Sequence, residues 1–214
     1  MKRGVAHGDK VTGGVTKVKL SKSIVQFSFQ NAAESCVRLV SFGRQTGDFS
    51  TPDGAYFEKI AEELVHSDLV ACAISLRRIA EITEFNKFAR KYVIQKVGPQ
   101  QMSPSKWKMR KLGQTIPLWE FINVLLHCDT FEVIADDFKI KVLGRMWKEN
   151  ALELLPDARF SNKFKPAVLI GSKHVPLLIF EILDFAETSM KFLDAVAEML
   201  SDNGIYIGNA NIDA

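Results

Sequence analysis

Cysteine is scarce in this chain: Cys36, Cys72 and Cys128 are the only three among 214 residues. The count is odd, the spacing is wide and no C-x-x-C pair occurs, which argues against a disulfide framework and against a structural zinc site. Each cysteine lies in an apolar context, so free, buried thiols in a reducing cytoplasm are the simplest expectation. Long apolar runs are missing too. The longest, such as Pro176 to Phe180, have strand or core length, so no membrane association is expected. The first residues, Met1 to Gly14, carry Lys2, Arg3 and Lys10 but no apolar core, unlike a secretory signal. No G-x-G-x-x-G, Walker loop, G-x-S-x-G elbow, H-E-x-x-H or paired Cys/His cluster is present. These absences disfavour nucleotide-dependent enzymes, serine hydrolases and zincins, and no metal or cofactor is expected.

Charge, by contrast, is unevenly distributed. Residues 1–110 hold 18 Lys and Arg against 10 Asp and Glu, whereas residues 111–214 hold 10 against 15, for a net +3. A basic half suits a phosphate-bearing partner such as RNA. It equally suits a solvated surface that pairs with the acidic half or with a second copy of the chain.

Periodicity outlines an α+β protein. Residues 1–20 read as a mobile basic tail, residues 21–203 as a single α+β domain and residues 204–214 as a frayed tail. Ile24 to Phe29 reads as a short strand or as the lead into a helix from Asn31 to Phe42 that ends at Gly43; the spacing of Val25, Phe29, Ala32, Cys36 and Leu39 favours helix. After a loop from Gly43 to Gly54, Phe57, Ile60, Ala61 and Leu64 mark a helix. Ser67-Asp68 offers a cap for a second, longer one through Leu69, Ala73, Leu76 and Ala80, continuing to Phe88 or Tyr92. Gly98 to Pro104 reads as a break, followed by a basic connector from Lys106 to Lys111. A helix then runs from near Pro117 to His127, completing a helical part of about residues 21–128. Two hairpins are expected over about 131–182. One joins Phe131–Ala135 to Phe138–Val142 through Asp136-Asp137, and the other joins Ala167–Ile170 to Val175–Ile182 through Gly171-Ser172-Lys173. A closing helix covers about 184–201.

The helix Leu118 to Cys128 concentrates polar chemistry. Glu120, Asn123 and His127 stand at i, i+3 and i+7, on one stripe of an otherwise apolar element. An asparagine one turn before a histidine can orient the imidazole for general acid/base work near neutral pH. The competing reading is a core histidine bonded to a backbone carbonyl. Trp107 inside Lys106, Lys108, Arg110 and Lys111 pairs an aromatic ring with cations, as single-stranded nucleic-acid binders do; its alternative is a tryptophan that anchors a loop to the core.

A small-residue helix containing Leu-Arg-Arg-Ile-Ala-Glu, a helix of the form Leu-Trp-Glu-Phe-Ile-Asn-Val-Leu-Leu-His, and strands directly after it together resemble the HEPN superfamily of helical proteins. That superfamily occurs in toxins, CRISPR-associated ribonucleases and phage defence. The resemblance spans about Phe57 to Leu200 if the hairpins are an insertion, and its specific part is Asn123 to His127. It implies a HEPN-like helical bundle with a small antiparallel sheet inserted before the last helix. The implied activity is metal-independent endoribonuclease chemistry of a defence or toxin–antitoxin type, with His127 as acid/base, Asn123 and Glu120 beside it, and a site formed across a homodimer. Active members carry an arginine just before the asparagine to hold the scissile phosphate; here that position is Ile122. Arg77 or Arg78 of the preceding helix are candidates to replace it toward RNA, against the alternative that both pair with Glu81. The missing arginine also supports a second reading, a catalytically inactive HEPN-like module that binds RNA or a protein partner.

Overall fold

In a computed structural model, the structure describes residues 22–44, 54–103, 106–134, 159–160, 166–172, 175–202 and 206–207. It is α+β. The elements are α1 (Lys22–Gly43), α2 (Gly54–Ile82), α3 (Asn86–Ala89), β1 (Val93–Ser103), β2 (Lys106–Pro117), α4 (Leu118–Leu126), β3 (Thr130–Ile134), β4 (Arg159–Phe160), β5 (Ala167–Ser172), β6 (Val175–Glu181) and α5 (Ile182–Asp202). The strands form one six-stranded sheet in the order β3-β5-β6-β1-β2-β4, antiparallel except for the parallel pair β2–β4.

α1 takes the helical alternative from its first turn, because Val25, Ala32, Cys36 and Leu39 recur on one face and are all buried. The helix ends at Gly43, where a side chain would meet the backbone nitrogen of Leu183 at 3.0 Å. Glycine therefore lets α1 close directly onto the start of α5.

α2 corrects the expected pair of helices. It is one helix of 29 residues that runs through Ser67 and Asp68 without a break. Val65, Leu69, Cys72, Ala73, Leu76, Ile79 and Ala80 are buried along an uninterrupted stripe. Asp68 does not cap: its two carboxylate oxygens accept from Nε of Arg38 on α1 at 2.9 and 3.0 Å. The helix also stops earlier than expected, at Ile82. Glu84 adopts φ 59° in the turn that follows, a left-handed conformation that no helix can continue through.

The larger correction lies at residues 93–117, expected as a break and a connector within a helical part. They form the long antiparallel hairpin β1–β2, with Val93 opposite Pro117 and Gln101 opposite Trp107. Gly98 and Pro99 sit inside β1. That strand pairs with β6 only at Lys96 and Val97, so Pro99 lies where one edge of β1 carries no ladder among the described residues, the position a strand proline needs. Between the pairs Gln95–Thr115 and Val97–Lys111, residues 112–114 stand opposite Lys96 alone. Gly113 takes φ 73° at this bulge, a conformation suited to glycine.

β3 pairs with β5, from Thr130 opposite Gly171 to Ile134 opposite Ala167, rather than forming a hairpin with the next segment. The expected strand Phe138–Val142, its turn at Asp136-Asp137, the loop around residues 45–53 and both tails lie outside the described residues. The hairpin β5–β6 and the closing helix stand as expected. α1 packs on α2 and α5, and α2 packs on α4. The core is joined by aromatic contacts of Phe121 with Phe180 and Phe185, at centroid distances of 4.5 and 5.2 Å. The backbone N–H of Gln95 donates to the Asp184 carboxylate at 2.7 Å, tying β1 to the first turn of α5. Among the described residues, no helix is long and apolar enough to cross a membrane.

Candidate functional site

The polar stripe of α4 begins from a short, strongly apolar helix. Pro117 precedes its first turn, and Leu118, Phe121, Ile122 and Leu125 are buried, leaving Glu120, Asn123 and His127 toward the other side. Glu120 is exposed and Asn123 is half-buried. The Asn123 side-chain amide donates to the carbonyl of Trp119 at 2.9 Å, one turn back in its own helix. This is a local bond of the kind that competes with longer-range roles for asparagine. His127 lies one residue beyond the helix, where its backbone N–H reaches the Val124 carbonyl at 3.3 Å. Its side chain is exposed, so it is not a core histidine.

Ile122 is fully buried. A residue at this position points into the core, away from the face that carries Glu120 and His127. On α2, Arg77 donates through Nε to Glu81 at 2.8 Å, and Arg78 is exposed. Among the described residues, neither guanidinium bonds to Glu120, Asn123 or His127. No group of three or more His, Cys, Asp or Glu among the described residues is placed to hold a metal.

The second cluster is on the hairpin. Residues 93–117 contain Lys96, Lys106, Lys108, Arg110 and Lys111 and not one Asp or Glu. Strand alternation places positions 106, 108 and 110 on one face of β2, and the register sets Lys108 opposite Gln100 and Arg110 opposite Gly98. In the same register Trp107 stands opposite Gln101 and Met109 opposite Pro99. β4 adds a further basic position, Arg159 beside Lys106. Lys96 and Arg159 lie outside the 106–111 run, and no local sequence signal ties them to it. The alternation Lys-Trp-Lys-Met-Arg over 106–110 is the period-two signal that marks this segment as strand.

The cysteines are free. Cys36 and Cys72 are buried, and their Sγ atoms lie 3.6 Å apart across the α1–α2 contact. The hydrogen bond with Cys36, together with burial, holds the Cys72 thiol well above the usual thiol range. Cys128 is half-buried and bonds the Leu125 carbonyl at 3.2 Å; burial raises its thiol as well.

No family model, curated protein or solved structure matches this chain.

Proposed function

We propose that this chain is an RNA-binding module that works through the β1–β2 hairpin and has no ribonuclease chemistry of its own. The observation that carries this reading is the unmixed charge of the hairpin: five cations and no carboxylate over residues 93–117, with three cations on alternate positions of β2. Cations at alternate strand positions stand about 7 Å apart, close to the spacing of successive phosphates in an extended single strand. Lys and Arg on such a ribbon neutralise phosphates and release counterions, which gives sequence-tolerant binding. Gln100 opposite Lys108 adds a neutral hydrogen-bonding position on the same face. The α4 stripe supports the non-catalytic version. Its asparagine amide is committed to Trp119, and the position that would carry a phosphate-binding arginine is sealed in the core.

The test is fluorescence anisotropy of a labelled single-stranded RNA between about 50 and 200 mM salt, the range over which counterion release changes affinity most visibly. Replacing Lys106, Lys108 and Arg110 together with Gln removes three phosphate partners and lowers the salt slope by about 2. Trp107→Ala leaves that slope in place, because the indole is uncharged and releases no counterion, and reduces affinity by a salt-independent amount through lost base stacking. Absence of binding at low salt, or an unchanged slope in the triple variant, refutes the reading.

One observation favours the alternative, a HEPN-like endoribonuclease working as a homodimer: the His127 ring is exposed, and so accessible to a 2′-hydroxyl. Incubation with total RNA in EDTA distinguishes the two. Cleavage that leaves 2′,3′-cyclic phosphate ends and disappears in His127→Ala establishes the enzyme; intact RNA leaves the binding module.

A further inference from the structure

Two cysteines 36 residues apart in the sequence meet in the core, with Cys36 on α1 facing Cys72 on α2 at an Sγ–Sγ distance of 3.6 Å. Both are fully buried, and Ala32 and Ala73 beside them are buried too. The Cys72 thiol also reaches the Ala32 carbonyl at 3.9 Å, so the two backbones approach closely where the thiols meet. Closing the sulfurs to the roughly 2 Å of a disulfide needs a movement of about 1.6 Å shared between two side chains. On the outer side of the same contact, Arg38 and Asp68 form an ion pair in which the Arg38 Nε–H is shared by both carboxylate oxygens, two residues after Cys36 and four before Cys72. The helices are thus held in register at the level of the sulfurs, and that register keeps the pair aligned.

We propose that Cys36 and Cys72 form a reversible disulfide that locks α1 onto α2 under oxidising conditions. The oxidant is a small organic disulfide such as oxidised glutathione. One cysteine, as its thiolate, attacks a sulfur of the small disulfide and releases one small thiol, leaving a mixed disulfide. The second cysteine gives its proton to solvent and attacks the protein-side sulfur, releasing the other small thiol. The two protein thiols lose two electrons, and the small disulfide gains them as it becomes two thiols. Burial sets the rate: the oxidant reaches the sulfurs only when α1 lifts from α2, so the lock forms in molecules that open and then holds them closed. The cross-link also encloses the chain between the two helices, a loop long enough for the disulfide to restrict the unfolded ensemble strongly.

The full-length chain carrying Cys128→Ser, which leaves the pair as its only thiols, is incubated with oxidised glutathione in sub-denaturing urea and returned to buffer. The expected product is a monomer that has lost two hydrogens by mass, yields a peptide linking α1 to α2, and melts roughly 10 °C higher than the reduced form. Dithiothreitol reverses all three changes. Free thiols on both cysteines after this treatment, a stable glutathione adduct on either one, or disulfide-linked dimers in place of the internal bond would each overturn the proposal.

Discussion

Ile122→Arg places an arginine directly before Asn123, the arrangement that the resemblance to active HEPN proteins would call for, and the structure predicts that it damages the fold and creates no nuclease. Ile122 is fully buried on α4, on the same side as Phe121 and Leu125. Its replacement forfeits about 2–3 kcal/mol of apolar burial. It also forces a guanidinium into the apolar core cluster that holds Ile122, at a cost of several kcal/mol after relaxation. The sum, roughly 5–8 kcal/mol, is comparable with the whole stability of an ordinary domain, about 5–15 kcal/mol. The assay is urea or thermal unfolding followed by circular dichroism, run beside the EDTA-resistant RNA cleavage assay. The expected outcome is a chain that is largely unfolded or melts at least about 10 °C lower, with no cleavage. A variant that melts cooperatively within about 5 °C of the parent would show that position 122 can turn outward. Cleavage gained on top of that would refute the core assignment and show a HEPN-like site that lacks only its arginine.

Two further outcomes follow from the packing. Phe121→Ala, which removes the ring held between Phe180 and Phe185, should destabilise by about 3–5 kcal/mol, read as a lower urea midpoint with an unchanged slope. Ser28→Ala should instead stabilise by about 1 kcal/mol in the same measurement. The Ser28 hydroxyl is buried in α1 without a hydrogen-bond partner among the described residues, and alanine removes that cost while favouring helix.

How far the sequence could be read depended on how locally each element is determined. α1, α4, α5 and the hairpin β5–β6 were legible because their periodicity and end signals lie within a few residues: the buried spacing of Val25, Ala32, Cys36 and Leu39, the proline before Leu118, the short unbroken apolar run from Pro176 to Phe180 after Gly171-Ser172-Lys173. Glu120 and Asn123 do lie on the less buried side of α4 while His127 stands one residue past its end, and the Arg77–Glu81 pair follows from their i, i+4 spacing. Tertiary contacts decided the rest. Asp68 is an excellent cap in isolation, but Arg38 from another helix claims its carboxylate and α2 runs on. Gly98 and Pro99 are breakers by propensity, yet an antiparallel partner and an edge that carries no ladder among the described residues accommodate both. The strand opposite β3 lies more than thirty residues away in sequence, at Ala167 to Gly171, and no local pattern encodes that choice. The same holds for the chemistry. Sequence alone determined which residues carry charge and thiols; only the fold buried Ile122, bonded Asn123 to its own helix, paired β2 with β1 and brought Cys36 to Cys72. Side-chain identity and short-range spacing are properties of the chain, whereas burial and partnership depend on which distant segments pack together.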